Sequence, residues 1–515
     1  MYLEQDGGAI FSDATVYEPT LVEAFYESRD FQPGWTDAEY SREMLQLLKS
    51  SEDEGLNPED YHYGELLALR EEYRKLWSDK DYLRAKAEVL LTDGILLYAK
   101  HLVQGKVDPR TLDSSWNYVR RDFVPPEVAR DLATAIANRR VAEVLEGLKP
   151  DTGFYSLMKQ QLQHYRQLAG DEQFSPLPED VVLHPGDRHR NVALLRKRLK
   201  QMSYLESNAP ETDVFDASVA KAVRQLQRDH DLVTDGVVGK QSYQVLNLSF
   251  RDKVDLLRIN MDRLRWISQE VSDDYVVVNI AGYELYYMRD RQLQWETPVM
   301  VGTIDTRTPI FQARLRYLEF NPTWNTPRSL IMRSLFPKFK ANPQYAIDKG
   351  YKLYDGKGGE VDPLSIDWNA YTERTFPYRV VQMPGPANAM GRVKFMFPNQ
   401  HAVYLHDTPS RELFSRSQRA FSAGCIRVKN PLELARVLLD DPANWSADSI
   451  ATLVDSGAPQ QVASIQRKVD VLLMYWTVSP TSGGRIQFHH DIYQLDPAAL
   501  AALDAPQRSS GYAQK

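Results

Sequence analysis

Tyr275-Val276-Val277-Val278-Asn279-Ile280-Ala281-Gly282-Tyr283-Glu284-Leu285-Tyr286-Tyr287-Met288 is the stretch on which the fold turns. Two runs of β-branched and aromatic residues flank Ala281-Gly282, the pattern of a β-hairpin. Just upstream, Ser249 to Ile267 sets Val254, Leu257, Met261 and Leu264 on one helical face. The chain therefore changes from a helical period to a strand period near residue 270. Thr297 to Gly302, Leu315 to Phe320, Val393 to Phe397 and Ala402 to His406 continue the strand pattern. The interruption from about 325 to 384 has mixed polarity, several prolines and little alternation. Inside a β domain, so long an insertion fits a cap over a site better than filler.

Before residue 180 the chain reads as helical. Leu21, Phe25 and Ser28 mark one helical pattern, and Met44, Leu45, Leu47 and Leu48 another. Ala87 to Leu102 repeats leucines at helical spacing, and Gly55-Leu56-Asn57-Pro58 and Asp108-Pro109-Arg110 mark turns. This region is expected to be a scaffold, with Phe25-Tyr26 and Phe31 to Trp35 as local core. Gln173 to Asp180 is a proline-containing linker. Residues 184–248 then form a small unit. Val192, Leu195, Leu199 and Met202 share one helical face, and Val219, Val223, Leu226 and His230 a second. The run Arg188, Arg190, Arg196, Lys197, Arg198 and Lys200 is expected to be the solvated face of a helix, with an anion-binding patch as the alternative. Near the end, Asn430-Pro431-Leu432-Glu433 starts a helix running to about Leu439. Val471 to Val478 and Arg485 to Ile492 flank Gly483-Gly484 as a second hairpin. The expected class is α+β multidomain: a helical scaffold at 1–180, a three-helix unit at 184–248, a mostly-β domain at 268–440 with the insertion at 325–384, and a hairpin region at 441–515.

Composition removes several functions. The 515 residues suggest three or four domains, and the net charge of −8 argues against a globally basic nucleic-acid binder. One cysteine excludes an intramolecular disulfide framework and a cysteine-rich zinc site. His489-His490-Asp491 lies on a strand, where neighbours face opposite ways, so no metal is expected there. No dinucleotide, P-loop or His-Glu-x-x-His pattern occurs, and no cofactor is expected. Ala87 to Ala99 is too short to cross a bilayer. Met1 to Asp6 has no basic or apolar targeting pattern, which leaves open a cytosolic protein or a trimmed leader.

The chemistry gathers at Phe421-Ser422-Ala423-Gly424-Cys425-Ile426-Arg427-Val428. A lone cysteine is ordinarily a small buried hydrophobe. Here Gly424 permits close backbone approach, and consecutive N–H groups around it can face one oxyanion. His406, at the end of the strand Tyr404-Leu405-His406, can take the thiol proton and return it to a leaving amine. Cys425 is thus the candidate nucleophile and His406 the candidate base, with the N–H groups of Ala423, Gly424 and Cys425 as oxyanion donors. Asp407 is adjacent to His406 on a strand and so faces away, which makes a backbone carbonyl the better orienter of the imidazole. Arg427 shares the face of Cys425 and can pair with a substrate carboxylate or a structural one. Tyr404 shares the face of His406 and can line the pocket. Trp324 is a candidate contact from the cap, with packing inside the cap as the alternative.

This constellation resembles the active site of the L,D-transpeptidases of bacterial cell-wall synthesis. In that family a histidine precedes a serine–x–glycine–cysteine segment, commonly followed by an arginine two positions on. His406, Ser422, Gly424, Cys425 and Arg427 fit that pattern, while Ala423 stands where many members have histidine. Ala222 to Gln227 and Asp235 to Gly239 resemble a small peptidoglycan-binding domain. The domain order is similar to that of the large Gram-negative members, as are Leu405 to Ser410, Asn321 to Pro327 and Gln382 to Pro386. The resemblance implies a cysteine thioester and a cross-link between diaminopimelate residues of two stem peptides; Ser422, Arg427, Tyr404 and Trp324 are the candidate substrate contacts. It implies peptidoglycan stem peptides and glycan strands as partners, admits cell-wall synthases, excludes nucleic acid, and makes carbapenems covalent inhibitors. It places the protein in the periplasm. An L,D-carboxypeptidase and a non-catalytic wall-binding scaffold are the alternatives.

Overall fold

The computed structural model describes residues 14–75, 80–114, 116–118, 120, 123–170, 172–230, 232–267, 271–372, 374–481 and 484–509. Met1 to Asp6 and Gly483, read above, lie outside them. The chain divides into two units, one of residues 270–475 and the other of 1–269 with 476–515.

The strands of the first unit begin with β1 (Asp274–Asn279), β2 (Glu284–Arg289), β3 (Gln292–Gly302) and β4 (Gln312–Phe320). β5 (Trp324–Asn325), β6 (Tyr351–Tyr354), β7 (Glu360–Val361) and β8 (Arg379–Gln382) belong to the insertion. β9 (Val393–Met396), β10 (Leu405–His406), β11 (Ala420–Ser422), β12 (Ile426–Val428) and β13 (Gln461–Met474) follow. Nine strands form one sheet in the order β11-β3-β12-β10-β9-β4-β13-β1-β2. The first part of β3 pairs with β2 and its last part with β12 and β11, so the sheet closes on itself. The β1–β2 hairpin forms as its sequence predicts, with Val277 opposite Tyr286. The left-handed residue of its turn is Tyr283 (φ 58°) rather than Gly282.

Alternation along β9, β10 and β12 decides what reaches the site. Val393, Phe395, Leu405, Ile426 and Val428 are fully buried. The helix Pro431–Leu439 packs on β9 and β13 and buries Leu434, Ala435 and Leu438. Asn430 precedes this helix but makes no capping hydrogen bond through its side chain, contrary to the capping role the sequence suggests.

The expected hairpin of Val471 to Val478 with Arg485 to Ile492 forms only near its turn, where Val478–Pro480 pairs with Ile486–Phe488. Val471 to Met474 instead end β13, parallel to β1 and antiparallel to β4. These residues are buried on both faces, as a central strand requires. The expected region 441–515 therefore divides after Tyr475, and its first part belongs to this unit. The insertion also differs from its loop-like sequence. β5, β8, β6 and β7 form a second sheet around a core of Leu335, Phe336, Phe339, Leu353, Trp368 and Phe376. Strands of two to four residues leave no periodicity to read in a sequence.

In the other unit the helix Lys80–Gln104 carries the interrupted apolar run. Its Thr92-Asp93-Gly94 interruption is buried and acts as an anchor. Asp93 accepts from the N–H groups of Tyr17 and Glu18 and pairs with His62 Nε2 at 2.7 Å. Thr92 Oγ1 accepts from Trp35 Nε1 at 2.9 Å. Trp35 and Phe25 are thus core, as expected, while Phe31 is exposed. β14 (Val478–Pro480) and β15 (Ile486–Phe488) pair with each other and lie against the helices Gly153–Gly170 and Phe250–Arg265. No helix among the described residues is long and apolar enough to cross a membrane.

The helices Arg190–Gln201, Ala217–Asp229 and Lys240–Leu246 share one core that includes Val192, Leu195, Leu199, Val219, Val223 and Leu226. The basic run on the first helix is not one solvated face. Arg196 and Arg198 are 1% and 2% exposed. Arg196 donates to the Pro210 and Val214 carbonyls and to Asp216. Arg198 pairs with Glu172 at 2.9 Å, donates to the Leu246 and Leu248 carbonyls, and lies over the Phe174 and Phe250 rings. Arg198→Met removes the partner of a buried carboxylate and is expected to lower stability by about 3–5 kcal/mol. The exposed neighbour change Lys197→Met is expected to stay within about 0.5 kcal/mol. Urea unfolding of the two full-length variants checks both values.

Candidate active site

β9, β10 and β12 are adjacent, and their register sets the site. Lys394 on β9 opposes His406 on β10, and His406 opposes Arg427 on β12. Opposed residues share a face, so these three side chains form one row. Tyr404, two positions before His406, and Cys425, two before Arg427, extend the same face. The Ile426 N–H donates to the Tyr404 carbonyl at 3.0 Å, which holds the cysteine segment against the histidine strand.

His406 is 2% exposed. Its Nδ1 lies 2.5 Å from the Asp407 backbone oxygen. A carbonyl only accepts, so Nδ1 carries the proton and Nε2 keeps its lone pair. The Asp407 carboxylate faces elsewhere, held by Arg392 Nε at 2.8 Å and by Arg411 at 3.3 Å. The backbone carbonyl is therefore the orienter, as alternation along the strand predicts. Burial, then the Arg427 charge, pushes the imidazole down to about 3, so it is a neutral base at ordinary pH.

Burial pushes the Cys425 thiol above its usual range, while a hydrogen bond to the Tyr404 backbone, Lys394 and Arg427 pull the other way. Its Sγ lies 3.8 Å from the Ala402 carbonyl oxygen and makes no hydrogen bond to His406. Ala402 adopts φ 53°, and the turn around it is braced by Asn399, which bonds the Phe397 and Val403 backbone.

The cysteine segment is clamped from both sides. Ser422 Oγ accepts from the Gly424 N–H at 3.1 Å and donates to the Cys425 carbonyl at 2.5 Å. The Ser422 hydroxyl and the Gly424 N–H are thus bonded within the segment. Among the described residues, the Ala423 and Cys425 N–H groups have no such acceptor. Thr306 Oγ1 donates to the Ser422 carbonyl at 3.0 Å, and Thr308 Oγ1 to the Gly424 carbonyl at 2.8 Å. Gly424 has φ 111°, a conformation that favours glycine.

Arg427 is half-buried, has no carboxylate partner among the described residues, and has a buried Nε without a hydrogen bond. Of the two roles the sequence leaves open for it, a structural ion pair is the one not formed. Tyr404 is half-buried, with Lys394 Nζ 3.8 Å from its ring centroid. Trp324 pairs with Gln382 in the insertion sheet and packs on the insertion's own core. Sequence reasoning missed Lys394, Thr306, Thr308 and Asn399. Only Asn399 carries a local signal, following Pro398 in a turn-like stretch.

Three stretches match known domain families. Residues 273–455 match the L,D-transpeptidase catalytic domain, 20–162 a scaffold domain, and 188–246 a "Putative peptidoglycan binding domain". A "Putative L,D-transpeptidase" of Haemophilus influenzae is 39% identical over 240 residues, 47% of this chain and 48% of that protein. The chain thus spans about half the length of this curated relative. An L,D-transpeptidase structure from Xylanimonas cellulosilytica is 14% identical, with 58% of this chain and 100% of that one covered and a TM-score of 0.20. One from Stackebrandtia nassauensis is 12% identical, with 58% and 97% covered and a TM-score of 0.21.

Proposed function

Residues 273–455 being an L,D-transpeptidase catalytic domain, we propose that the protein cross-links peptidoglycan through a thioester on Cys425. The observation that carries this reading is the shared face of Cys425 and His406, with Nδ1 of the imidazole tied to the Asp407 carbonyl. As the Cys425 sulfur attacks the carbonyl between meso-diaminopimelate and terminal D-alanine, His406 Nε2 takes the thiol proton. The Ala423 and Cys425 N–H groups face the developing oxyanion. His406 then returns the proton to the departing D-alanine nitrogen. The side-chain amine of a second stem's diaminopimelate attacks the thioester and loses its proton to His406, which passes it to the departing sulfur and so regenerates the thiol. The product joins two diaminopimelate residues.

Such substrates lie outside the cytoplasm, which fits action in the periplasm. Residues 188–246 would hold the protein on glycan strands. Carbapenems would acylate the same sulfur, and cell-wall synthases are the partners that would supply fresh strands.

The pH dependence follows from the His406 environment. A base whose pKa lies near 3 is protonated, and so lost, only as pH falls toward that value. Turnover is expected to show no acid inflexion near 6.5. A pH–rate profile between pH 4 and 8 checks this, and a limb at pH 6 to 7 would contradict it.

The product test uses purified protein and a disaccharide tetrapeptide, read by mass spectrometry. A dimer lacking one D-alanine supports the reading. Tripeptide monomer alone makes water the acceptor, and no change in either product overturns the reading.

A further inference from the structure

We propose that Lys394 is a specificity residue of this site, and that with Arg427 it holds the carboxylate of the residue that leaves the acyl donor. The assignment rests on the acyl-transfer reading above and goes beyond it by naming what selects the donor.

Strand register places the charges. Lys394, His406 and Arg427 lie directly across three adjacent strands, so the two cations flank the imidazole on the face that carries Cys425. Opposed residues on neighbouring strands stand about 5 Å apart, so both long side chains can reach one anion above the histidine. The direction of Lys394 is fixed by its ring contact. Its Nζ lies 3.8 Å from the centroid of Tyr404, which belongs to the Cys425 end of the row. Lys394 therefore leans toward the nucleophile.

Among the described residues neither cation forms an ion pair. Among the described residues no carboxylate lies within 4.0 Å of Lys394 or Arg427. Glu319 opposes Lys394 on the other side, across β4, yet forms no ion pair with it; its carboxylate accepts from Gln460 Nε2 at 3.2 Å. Arg427 Nε is buried and unbonded. Burial disfavours the charge on both side chains; the Glu319 carboxylate and then Cys425 favour it on Lys394, and Cys425 favours it on Arg427. Two half-buried cations without partners are costly unless something else brings the negative charge. The thiol, held protonated by its own burial, does not bring it at rest. The donor does. Its leaving residue carries a free carboxylate on the carbon next to the nitrogen that departs, which places the anion beside the scissile bond. A neutral group at that position would leave both cations unpaired, and this is how the site would discriminate.

The test compares two donors that differ only at the leaving residue, one ending in a carboxylate and one in a carboxamide. Wild-type protein is expected to favour the carboxylate donor by roughly 10- to 100-fold in kcat/KM, the size of a charged hydrogen bond. Lys394→Met is expected to cut that preference below about 3-fold, with most of the change in KM, and Lys394→Arg to restore much of it. Lys394→Met that slows both donors equally would overturn the proposal and assign Lys394 to the thiolate alone. Binding of the two donors to Cys425→Ala protein, with and without Lys394→Met, reads the same preference without turnover. Equal binding of both donors by Cys425→Ala overturns the carboxylate clamp. A clear binding preference with no turnover in the wild type upholds the clamp and overturns the acyl-transfer reading instead. Urea unfolding of the Lys394 variants beside the wild type confirms that they are folded.

Discussion

Cys425→Ala is expected to fold as the wild type does and to lose turnover by a factor on the order of 10⁶. The two halves of that expectation have separate causes. Cys425 is half-buried, and its sulfur makes only a long approach to the Ala402 carbonyl and a contact with the Tyr404 backbone. Removing it therefore takes little from the packing, and the cost in stability is expected to stay below about 1 kcal/mol. The segment's shape is held by other atoms: Ser422 Oγ, Thr306 Oγ1 and Thr308 Oγ1 all bond backbone groups that alanine retains. Catalysis has no such reserve. His406 without a sulfur has no thiol proton to take, and the sequence holds no second cysteine. Steady-state turnover measured beside thermal unfolding checks both halves. Residual activity within 100-fold of wild type would place the nucleophile elsewhere.

Gly302→Ala is expected to lower turnover by about 100-fold or more, although Gly302 touches no substrate. Gly302 ends β3 opposite Ser422. A Cβ there would lie 2.0 Å from the Thr306 carbonyl oxygen and 2.8 Å from the Thr308 nitrogen. Both are backbone atoms, so the turn carrying these threonines has to move. That turn is what clamps the cysteine segment: Thr303 N–H and Thr306 Oγ1 donate to the Ser422 carbonyl, and Thr308 Oγ1 donates to the Gly424 carbonyl. The Gly302 N–H itself donates to Thr308 Oγ1 at 2.9 Å. Displacing this network shifts Cys425 and the oxyanion N–H groups together, and a shift of about 1 Å is enough for such a loss. Parallel assays of Gly302→Ala and of Gly147→Ala, which meets nothing within 4 Å, separate this effect from a general response to substitution.

The candidate site was legible in the sequence where its chemistry is local. Cys425, Gly424 and Ser422 sit in one short segment, and the strand period of Tyr404 to His406 places Asp407 on the opposite side. That period alone predicts a backbone partner for the imidazole, which the Nδ1 contact to the Asp407 carbonyl provides. Lys394, Thr306 and Thr308 were not legible. Each acts through a strand or turn distant in sequence, and nothing in a single chain announces that β9 lies beside β10 at that register.

The same division runs through the fold. The β1–β2 hairpin, the helices of residues 190–246 and the shift near residue 270 carry local periodicity. β13 carries it too, yet its partners are β1 and β4, both far upstream, and a nearest-neighbour hairpin was the wrong inference. Arg196 and Arg198 show the limit of charge patterns. Arg190 and Lys197 on the same helix are exposed, but these two turn inward to carbonyls, carboxylates and rings supplied by other segments.

The central claim is that Cys425 carries the acyl group. Its most direct test is the intact mass of the protein after mixing with a tetrapeptide donor whose side-chain amine is blocked, so that no acceptor competes. An adduct with the mass of the donor less alanine is expected, located on Cys425 by peptide mapping and absent from Cys425→Ala. Release of alanine without any adduct in a rapidly quenched sample, or the same adduct on the Cys425→Ala protein, would contradict it.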